Sequence, residues 1–365
     1  MVSELAVSTL IAQVRPRLSI LYLGWDSGTS RHRAQSLRRL GHQVRIVDVH
    51  RFLPNHRLVH YWNHHTGALG SGRLVRTRVL EALRNLKFDL VWVDGGDVIS
   101  PELVCALKRQ TRFVINYNVD DPYGTRDSNK WRLYLRSVPH YDLIAVVRDC
   151  NIAEAYQAGS KNVLRVDRSS DEVAHVPRKI SAADSVKWGS EVAFIGTWMP
   201  ERGPFMARLV ERQIPLSIWG DRWSKAKEWP VLKRSWRGPG IYDDDGYAMA
   251  IQCAKVCIGM LSKGNRDLCT QRSFEIPHLG GLFCAERTAE HLALYDEDIE
   301  AVFWSDVDEC ADKCKRLLTD ETWRAGVARN GRLRAIRNGN SNETVMRQII
   351  SRVLDSIPEK ASISE

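Results

Sequence analysis

The sequence lacks any run of 18 or more apolar residues, and its start, MVSELAVSTLIAQVRPRLSI, lacks the basic region, apolar core and small-residue cleavage site of a secretory signal. We therefore expect a cytoplasmic protein, and peripheral contact with the inner face of a membrane stays open. The eight cysteines include no CxxC pair and no paired spacing typical of a metal site. Cys253 and Cys257, and likewise Cys310 and Cys314, are four residues apart, which favours packing on one face of a helix.

Two phosphate-binding motifs are also missing. The Gly-rich turn GWDSGTS at residues 24–30 is not GxGxxG, and it has no Walker lysine. The formal net charge is +9, yet no helix-turn-helix, zinc finger or aromatic RNA-binding motif accompanies it. A dinucleotide-dependent enzyme, a P-loop NTPase and a nucleic-acid-binding protein therefore have little support.

The positive charge is concentrated in the first half of the chain. Residues 31–84 contain eleven arginines and seven histidines, and only Asp48 and Glu81 oppose them. Arginine suits bidentate contact with phosphate or carboxylate, so convergent arginines would bind an anionic partner. The alternative is a scattered, solvated basic surface.

Short apolar segments alternate with helical patterns along the chain. Segments such as LSILYLG (18–24) and FDLVWVDG (88–95) are rich in Val, Ile and Leu on both faces, which is typical of buried parallel strands. Between them lie helical patterns, one of which starts well at Ser100 and Pro101. The alternation resumes after residues 168–190, a polar segment that we interpret as an inter-domain linker or hinge.

This alternation, over 365 residues, predicts an α/β protein with two Rossmann-like domains, each a doubly wound parallel sheet, that face each other across a cleft. We predict an N-terminal domain over residues 1–170 and a second domain over residues 171–341. The remaining segment, 342–365, would form a helix that could pack back on the first domain.

Ligands of such sheets bind beyond the carboxyl ends of the strands. In the first domain, GWDSGTS, DGGD (94–97) and NYNVDDPYG (116–124) lie there. In the second domain, FIGTWMPERGPF (194–205) puts Arg202 near a helix start, where a cation and free N–H groups could hold a diphosphate together. LSKGNRD (261–267) also follows a predicted strand.

The segment NRDLCTQRSFEIPHLGG (265–281) places Glu275 among apolar neighbours. Such a carboxylate must be exposed, paired with a cation or available to a ligand. Arg272, three residues earlier, lies on the same helical face, and Pro277 predicts a short, kinked helix. An internal Glu275–Arg272 pair that staples this helix is the structural alternative.

The segments VAFIGTWMPERGPFMARLV, LSIWGDRW and RSFEIPHLGGLFCAE resemble the C-terminal domain of CgeB-like glycosyltransferases, which are related to family 4 and have the two-domain GT-B fold. The likeness covers most of residues 18–340. It implies a hexosyltransferase-type enzyme of polysaccharide or cell-envelope biosynthesis. It also favours a reaction that retains the anomeric configuration of the sugar over one that inverts it. It also implies a UDP-, GDP- or dTDP-type donor on the second domain, an acceptor on the first domain, and no cofactor or required metal.

Family 4 enzymes carry two Glu residues eight positions apart. Glu275 matches the later one, which grips the ribose, and Asp267 stands at the earlier position, which contacts the donor sugar. Arg202 matches a basic residue that contacts the diphosphate. The resemblance and the strand-end positions together predict these donor-binding residues: Glu275, Arg272, Arg202, Lys263, Thr197, Gly196 and Gly24.

For catalysis, we predict Asp120 and Asp267. In a retaining reaction the leaving phosphate itself takes the acceptor's proton, whereas an inverting reaction needs a base on the first domain. Asp120 is the favoured base, and Asp121, Asp26, His64 and His65 are alternatives.

The basic first domain suggests an anionic acceptor, such as a growing polysaccharide, a glycolipid or a lipid-linked intermediate. We predict that the acceptor-binding residues are Asp26, His64, His65, Arg38, Arg39 and Arg76. A GT-B nucleotide-sugar epimerase and a non-catalytic nucleotide- or glycan-binding protein are the competing interpretations.

Overall fold

Two six-stranded parallel sheets organise the residues that the computed structural model describes, 16–127 and 129–355. The first sheet has the order β2-β1-β3-β4-β5-β6 and the second β12-β11-β10-β7-β8-β9. The strands of the first are β1 (Ser19–Leu23), β2 (Gln43–Val47), β3 (Phe88–Asp94), β4 (Thr111–Asn118), β5 (Leu143–Val146) and β6 (Val163–Arg165). Those of the second are β7 (Ser190–Ile195), β8 (Leu216–Trp219), β9 (Trp236–Gly238), β10 (Ala254–Gly259), β11 (Phe283–Glu286) and β12 (Val302–Trp304). The predicted pair of Rossmann-like sheets is confirmed.

Helices connect the strands and cover the sheets. Those that precede β7 are α1 (Gly28–Arg39), α2 (Arg57–Thr66), α3 (Ser71–Ala82), α4 (Pro101–Lys108), α5 (Arg132–Ser137), α6 (Cys150–Gln157) and α7 (Ala182–Trp188). Those that follow it are α8 (Arg202–Glu211), α9 (Trp229–Leu232), α10 (Asp244–Gln252), α11 (Arg272–His278), α12 (Ala289–Leu294), α13 (Val307–Thr319), α14 (Glu321–Asn338) and α15 (Asn342–Asp355). Short 3-10 helices span Val49–Phe52, Val138–His140, Trp223–Lys225 and Lys263–Asn265. Among the described helices, none has the length and apolar character needed to cross a membrane.

Local sequence signals explain several helix ends. The Ser100 hydroxyl accepts a hydrogen bond from the Leu103 amide at 3.3 Å, and Pro101 occupies the first turn of α4, as predicted. Helix α11 contains Pro277 and ends one residue later, so the predicted short helix forms. Gly280 follows with a φ of +83°, a conformation that favours glycine and stops the helix.

The last helix covers one face of the first sheet. Residues of α15, among them Met346 and Ile350, are buried in the same apolar cluster as Ile20, Tyr22 and Trp92. Helix α15 also packs against α1. The C-terminal end of the described chain therefore completes the core of the N-terminal half.

The chain crosses between the two sheets twice, and the two crossings are joined. Ser170 bridges Ser341: the Ser170 amide donates to Asn340 O at 3.1 Å, and the Asn342 amide donates to Ser170 O at 2.9 Å. The first sheet ends at Arg165 and the second begins at Ser190, so the predicted hinge runs between them. Residues 1–15 and 356–365 of the predicted domains lie outside the described residues.

Candidate functional site

A cavity of about 230 Å³ opens at the carboxyl ends of β7 and β10 in the second sheet. Its polar lining comes from Gly196, Thr197, Thr270, Arg202 and Arg272. Four of these residues were predicted to bind a donor, and the structure brings them together. Thr270, which precedes α11, was not singled out.

Arg202 is buried beside this cavity and has no carboxylate partner. It is 7% exposed, and none of the ion pairs among the described residues includes it. Its guanidinium donates to Thr197 O at 2.7 Å, Leu261 O at 3.4 Å and Met260 O at 3.5 Å, while its Nε has no hydrogen-bond partner. Burial, helped by the positive charge of Arg272, lowers the pKa of Arg202 to about 10. Arg202 is therefore a buried cation that an anion in the cavity would stabilise.

Glycine at position 196 makes this arrangement possible. A Cβ atom there would lie 2.9 Å from the Phe194 ring and 3.3 Å from a terminal nitrogen of Arg202. The Arg202 guanidinium also lies over the Phe194 ring, 5.4 Å from its centroid. The loop after β7 and the first turn of α8 thus hold a fixed positive charge at a helix start, which is a favourable place for a phosphate.

Glu275 is fully buried in α11 and is held mainly by residues far from it in sequence. The Tyr247 hydroxyl donates to its Oε2 at 2.5 Å. His175 accepts the Asp171 amide at Nδ1, so its Nε2–H faces Glu275 Oε1, at 3.5 Å. Burial raises the pKa of Glu275, but His175, Arg272 and the Tyr247 hydrogen bond outweigh it and lower the pKa overall.

The Arg272–Glu275 contact is weaker than the structural alternative requires. Their nearest charged atoms are 3.9 Å apart, and the Arg272 guanidinium lies over the Tyr247 ring, 5.5 Å from its centroid. Sequence reasoning missed Tyr247 and His175 because one lies in α10 and the other in the hinge, without any local spacing that links them to Glu275. Two of the roughly four lone-pair positions of the carboxylate are occupied, which leaves capacity for hydroxyl donors.

Asp267 lies between the two sheets and is already paired. Its Oδ1 accepts from Arg148 Nε at 2.9 Å, from Arg148 Nη2 and from Arg168 Nη2 at 2.9 Å. All three side chains are buried. Arg148 follows β5 in the first sheet and Arg168 lies in the hinge, so Asp267 joins three parts of the chain.

The rest of the segment around Asp267, which we call the bridging loop (Ser262–Asp267), also contacts the first domain. Arg266 donates to both oxygens of Asp121, at 2.7 and 2.8 Å, and to Glu154 at 2.7 Å. Burial raises the pKa of Asp121, but the Arg266 and Asn151 hydrogen bonds outweigh burial and lower it. Lys263, predicted to bind the donor, is 60% exposed and donates to Glu286.

Asp120 and Asp121 differ in their surroundings. The Asp121 carboxylate is occupied by Arg266 and Asn151. The Asp120 carboxylate has no hydrogen bond or ion pair with any described residue, and the Asp120 amide donates to Asn118 at 2.9 Å. Of the two, Asp120 is the carboxylate left available to a substrate.

Two further cavities, of about 200 and about 420 Å³, adjoin each other where β1, β2 and β3 end. Both are lined by Trp25, His50, Leu53 and His60. The Trp25 and His50 rings stack with centroids 3.9 Å apart, and His50 Nε2 lies 3.0 Å from Asp97 Oδ1. Burial raises the pKa of Asp97, but its hydrogen bond to His50 more than offsets this and lowers it. The exposed Trp25 indole and the His50 imidazole, which is held by the Asp97 carboxylate, therefore line the same opening.

Three of the predicted acceptor residues lie at or near these cavities. Asp26 lines the larger cavity and His64 the smaller. Asp26 also pairs with Arg31 at 3.0 Å. His65 packs against Tyr61 on the exposed side of α2, with ring centroids 4.1 Å apart.

Gly24, predicted to bind the donor, directly precedes Trp25 at the end of β1. A Cβ atom at this position would lie 2.8 Å from the Ser30 hydroxyl and 2.9 Å from the Asp94 Cβ. Glycine is therefore needed here for the close packing of the loop against α1 and β3.

The three predicted arginines do not converge with the acceptor residues at the cavities. Arg38 donates to Val44 O, 2.9 Å away. Arg39 pairs with Asp171, Glu172 and Glu343, at 2.9, 2.8 and 2.7 Å. Arg76 lines a separate, open surface cavity between α3 and α4. Arg38 and Arg39 thus have partners within the protein, and the basic residues do not form a single anion site.

Three buried thiols form one further cluster among the described residues. Cys284 of β11 and Cys310 and Cys314 of α13 have sulfur atoms within 4.8 Å of one another, a spacing that could hold a thiophilic metal ion. They lie within the apolar core of the second domain, and none of them lines the cavities described above. Because they are buried among apolar side chains, the three thiols contribute to the packing of this core.

The two facing parallel sheets, and the return of the last helix to the first, define the GT-B fold. Residues 202–351 match the family described as Glycosyl transferase-like, which covers α8 to α15. None of the curated proteins compared with the chain is similar to it.

Solved structures with this fold superpose over nearly the whole chain. Sucrose-phosphate synthase from Thermosynechococcus elongatus matches with a TM-score of 0.67 and 12% identity, over 93% of this chain and 100% of that one. Anabaena Alr3699/HepE in complex with UDP-glucose matches with a TM-score of 0.65 and 12% identity, over the same shares. The α,α-trehalose 6-phosphate synthase from Burkholderia multivorans gives 0.61 and 11%, over 93% and 99%. At these identities, the similarity establishes the fold.

Proposed function

We propose that the protein is a glycosyltransferase that moves a hexose from a UDP-, GDP- or dTDP-type nucleotide sugar to a glycan, glycolipid or lipid-linked acceptor, without a required metal. The observation that carries the proposal is Arg202, a buried cation without a carboxylate partner that lines a cavity together with Arg272. Two guanidinium groups and a helix start suit the two phosphates of a donor. The Glycosyl transferase-like match covers this helix.

The transfer breaks the bond between the anomeric carbon and the donor's phosphate oxygen and forms a bond from that carbon to an acceptor oxygen. Negative charge develops on the departing diphosphate, where Arg202, Arg272 and the first amides of α8 would stabilise it. The electrostatic assistance that a metal supplies in other enzymes would thus come from side chains. Glu275 would accept the ribose hydroxyls, held in place by Tyr247 and His175.

The acceptor would bind in the first domain, where the exposed face of Trp25 offers a stacking surface for a sugar ring. In a retaining reaction, which the family resemblance favours, the acceptor's proton passes to an oxygen of the leaving phosphate. In an inverting reaction the proton would pass to a base, for which Asp120 and His50 are the candidates that the geometry supports. We further propose an anionic acceptor and a cytoplasmic location.

The test measures thermal stabilisation by UDP, GDP, dTDP, CMP and ADP in wild type and in Arg202→Met. A ligand at a hundred times its Kd stabilises by about 2.7 kcal/mol. We expect one diphosphate to stabilise wild type and to lose most of this effect in Arg202→Met. Arg208→Met, on the same helix but exposed and paired with Asp308, should keep it.

Equal stabilisation of wild type and Arg202→Met, or no stabilisation by any nucleotide, would overturn the donor site. Product analysis with the nucleotide sugar that corresponds to the stabilising base then separates transfer from epimerisation. A new glycoside supports transfer, whereas a changed nucleotide sugar formed without an acceptor supports an epimerase.

A further inference from the structure

Helix α2 presents an apolar face that nothing in the described structure covers. It contains no buried residue, although its sequence, RLVHYWNHHT, includes several large apolar side chains. Leu58, Tyr61 and Trp62 are 70%, 65% and 51% exposed, and Leu69, in the turn that follows, is 66% exposed. Isolated exposed apolar residues are ordinary, but a cluster of four on one short segment indicates an interaction surface.

The three side chains on the helix itself share one direction. At 100° per residue, Leu58, Tyr61 and Trp62 fall within an arc of about 100° on α2. Val59 and Asn63 lie on the other side of the helix and are partly buried. We call the exposed set, Leu58, Tyr61, Trp62 and Leu69, the α2 face.

The α2 face is held in a fixed arrangement. The Trp62 indole donates to Leu69 O at 2.9 Å, which fixes the turn beside the helix. The Thr66 hydroxyl donates to Trp62 O at 2.7 Å and accepts from the Leu69 amide at 3.2 Å. These bonds hold Trp62 and the turn that carries Leu69 next to each other.

The chain segment that carries the α2 face has charge of one sign. From residue 49 to residue 80 the sequence contains no Asp or Glu. Arg57 and Arg73 flank the face, are exposed, and take part in none of the ion pairs among the described residues. Trp and Tyr favour the boundary between water and lipid, and unpaired arginines are attracted to anionic headgroups. These features are typical of a helix that lies in the plane of a membrane surface.

We propose that the α2 face docks the protein on a bilayer that contains anionic lipids. The opposite side of the same helix reaches the candidate acceptor site, since His60, Asn63 and His64 line the cavity of about 200 Å³ that Trp25 and His50 share. Docking through α2 would therefore hold that cavity next to the headgroups. This inference rests on the proposed function in one respect, because it takes the cavity to be the acceptor site. A cavity held next to the headgroups favours a lipid-linked acceptor over a soluble one.

The test is co-sedimentation with vesicles of phosphatidylcholine alone and of phosphatidylcholine with about 30% phosphatidylglycerol. We expect the wild-type protein to bind the anionic vesicles at low salt. It should bind neither the neutral vesicles nor the anionic vesicles at high salt. The triple variant Leu58→Ser, Tyr61→Ser, Trp62→Ser should bind at least tenfold more weakly. Arg57→Glu with Arg73→Glu should have a similar effect.

The matched apolar control is Leu333→Ser with Ile336→Ser, two half-exposed residues of α14, which should bind as wild type does. Binding to neutral and anionic vesicles alike, no binding, or undiminished binding by the triple variant would overturn the proposal. Nucleotide stabilisation is measured on the same proteins. If nucleotide stabilisation persists while vesicle binding is absent, the membrane inference falls and the glycosyltransferase proposal stands. If vesicle binding is present while nucleotide stabilisation is absent, the donor site falls and the membrane inference stands.

Discussion

Replacing Asp267 by Ala should cost mainly stability. Asp267 accepts hydrogen bonds from Arg148 and Arg168, and all three side chains are buried between the two sheets. Its loss leaves two buried guanidinium groups without a carboxylate, and breaking a buried pair in this way costs about 3–5 kcal/mol. Backbone carbonyls that both arginines also contact, Val119 O among them, limit the loss to that range.

The expected change in melting temperature follows from this energy. For domains of this size, each kcal/mol corresponds to roughly 2–4 °C, so Asp267→Ala should melt roughly 6–20 °C below wild type. Calorimetry measures this directly. The control is Asp312→Ala, whose side chain is 67% exposed and pairs with Arg212, and an exposed pair contributes about 0–1 kcal/mol.

A different result would refute the structural interpretation. The resemblance to family 4 places Asp267 at a position that contacts the donor sugar. Suppose that Asp267→Ala keeps the wild-type melting temperature and nucleotide affinity but loses transfer activity by orders of magnitude. The carboxylate then acts on the sugar, and its pairing with Arg148 and Arg168 does not stabilise the fold.

Three further predictions concern single side chains. In wild type, a ribonucleoside diphosphate should bind about 10-fold to 100-fold more tightly than its 2′,3′-dideoxy analogue, since a hydrogen bond to a charged group contributes about 1.5–3 kcal/mol. Glu275→Gln should reduce this preference. If calorimetry gives the same affinity ratio for both proteins, Glu275 does not bind the ribose. Trp25→Ala should raise the acceptor KM about 2-fold to 10-fold, because stacking contributes about 0.5–1.5 kcal/mol, while Trp25→Phe should restore most of it; equal KM values for all three proteins would count against the stacking surface. Because Asp121 has a folded-state pKa below its ordinary 3.8, its stabilising effect is complete above that value and is lost as the pH falls through the folded pKa. The urea midpoint of Asp121→Asn should therefore vary less with pH than that of wild type as the pH falls below 3.8, and an equal slope would contradict this.

The sequence was most informative about the sheets. Buried parallel strands require apolar side chains on both faces, so they stand out as short apolar runs wherever they occur. The position of Arg202 at a helix start was predictable for a related reason: it follows a strand and begins a helix, and both signals are local. The short α11 was likewise predictable from Pro277.

Contacts between distant segments were not predictable. Trp25, His50 and Asp97 follow three different strands, and only the order of the strands in the sheet brings them together. Arg39 was predicted to bind an acceptor, but its carboxylate partners lie beyond residue 170. A basic residue is visible in a sequence, whereas the acid that neutralises it across a domain boundary is not.

The position of α15 also sets the order in which the protein can fold during synthesis. One face of the first sheet, with Ile20 and Trp92, is covered by Met346 and Ile350 of the last described helix. The N-terminal half leaves the ribosome first, but this apolar face stays uncovered until α15 has been made. The nascent chain must therefore carry an incomplete first domain while the whole second domain is translated. This face of the first domain becomes a buried core only when the last described helix packs on it.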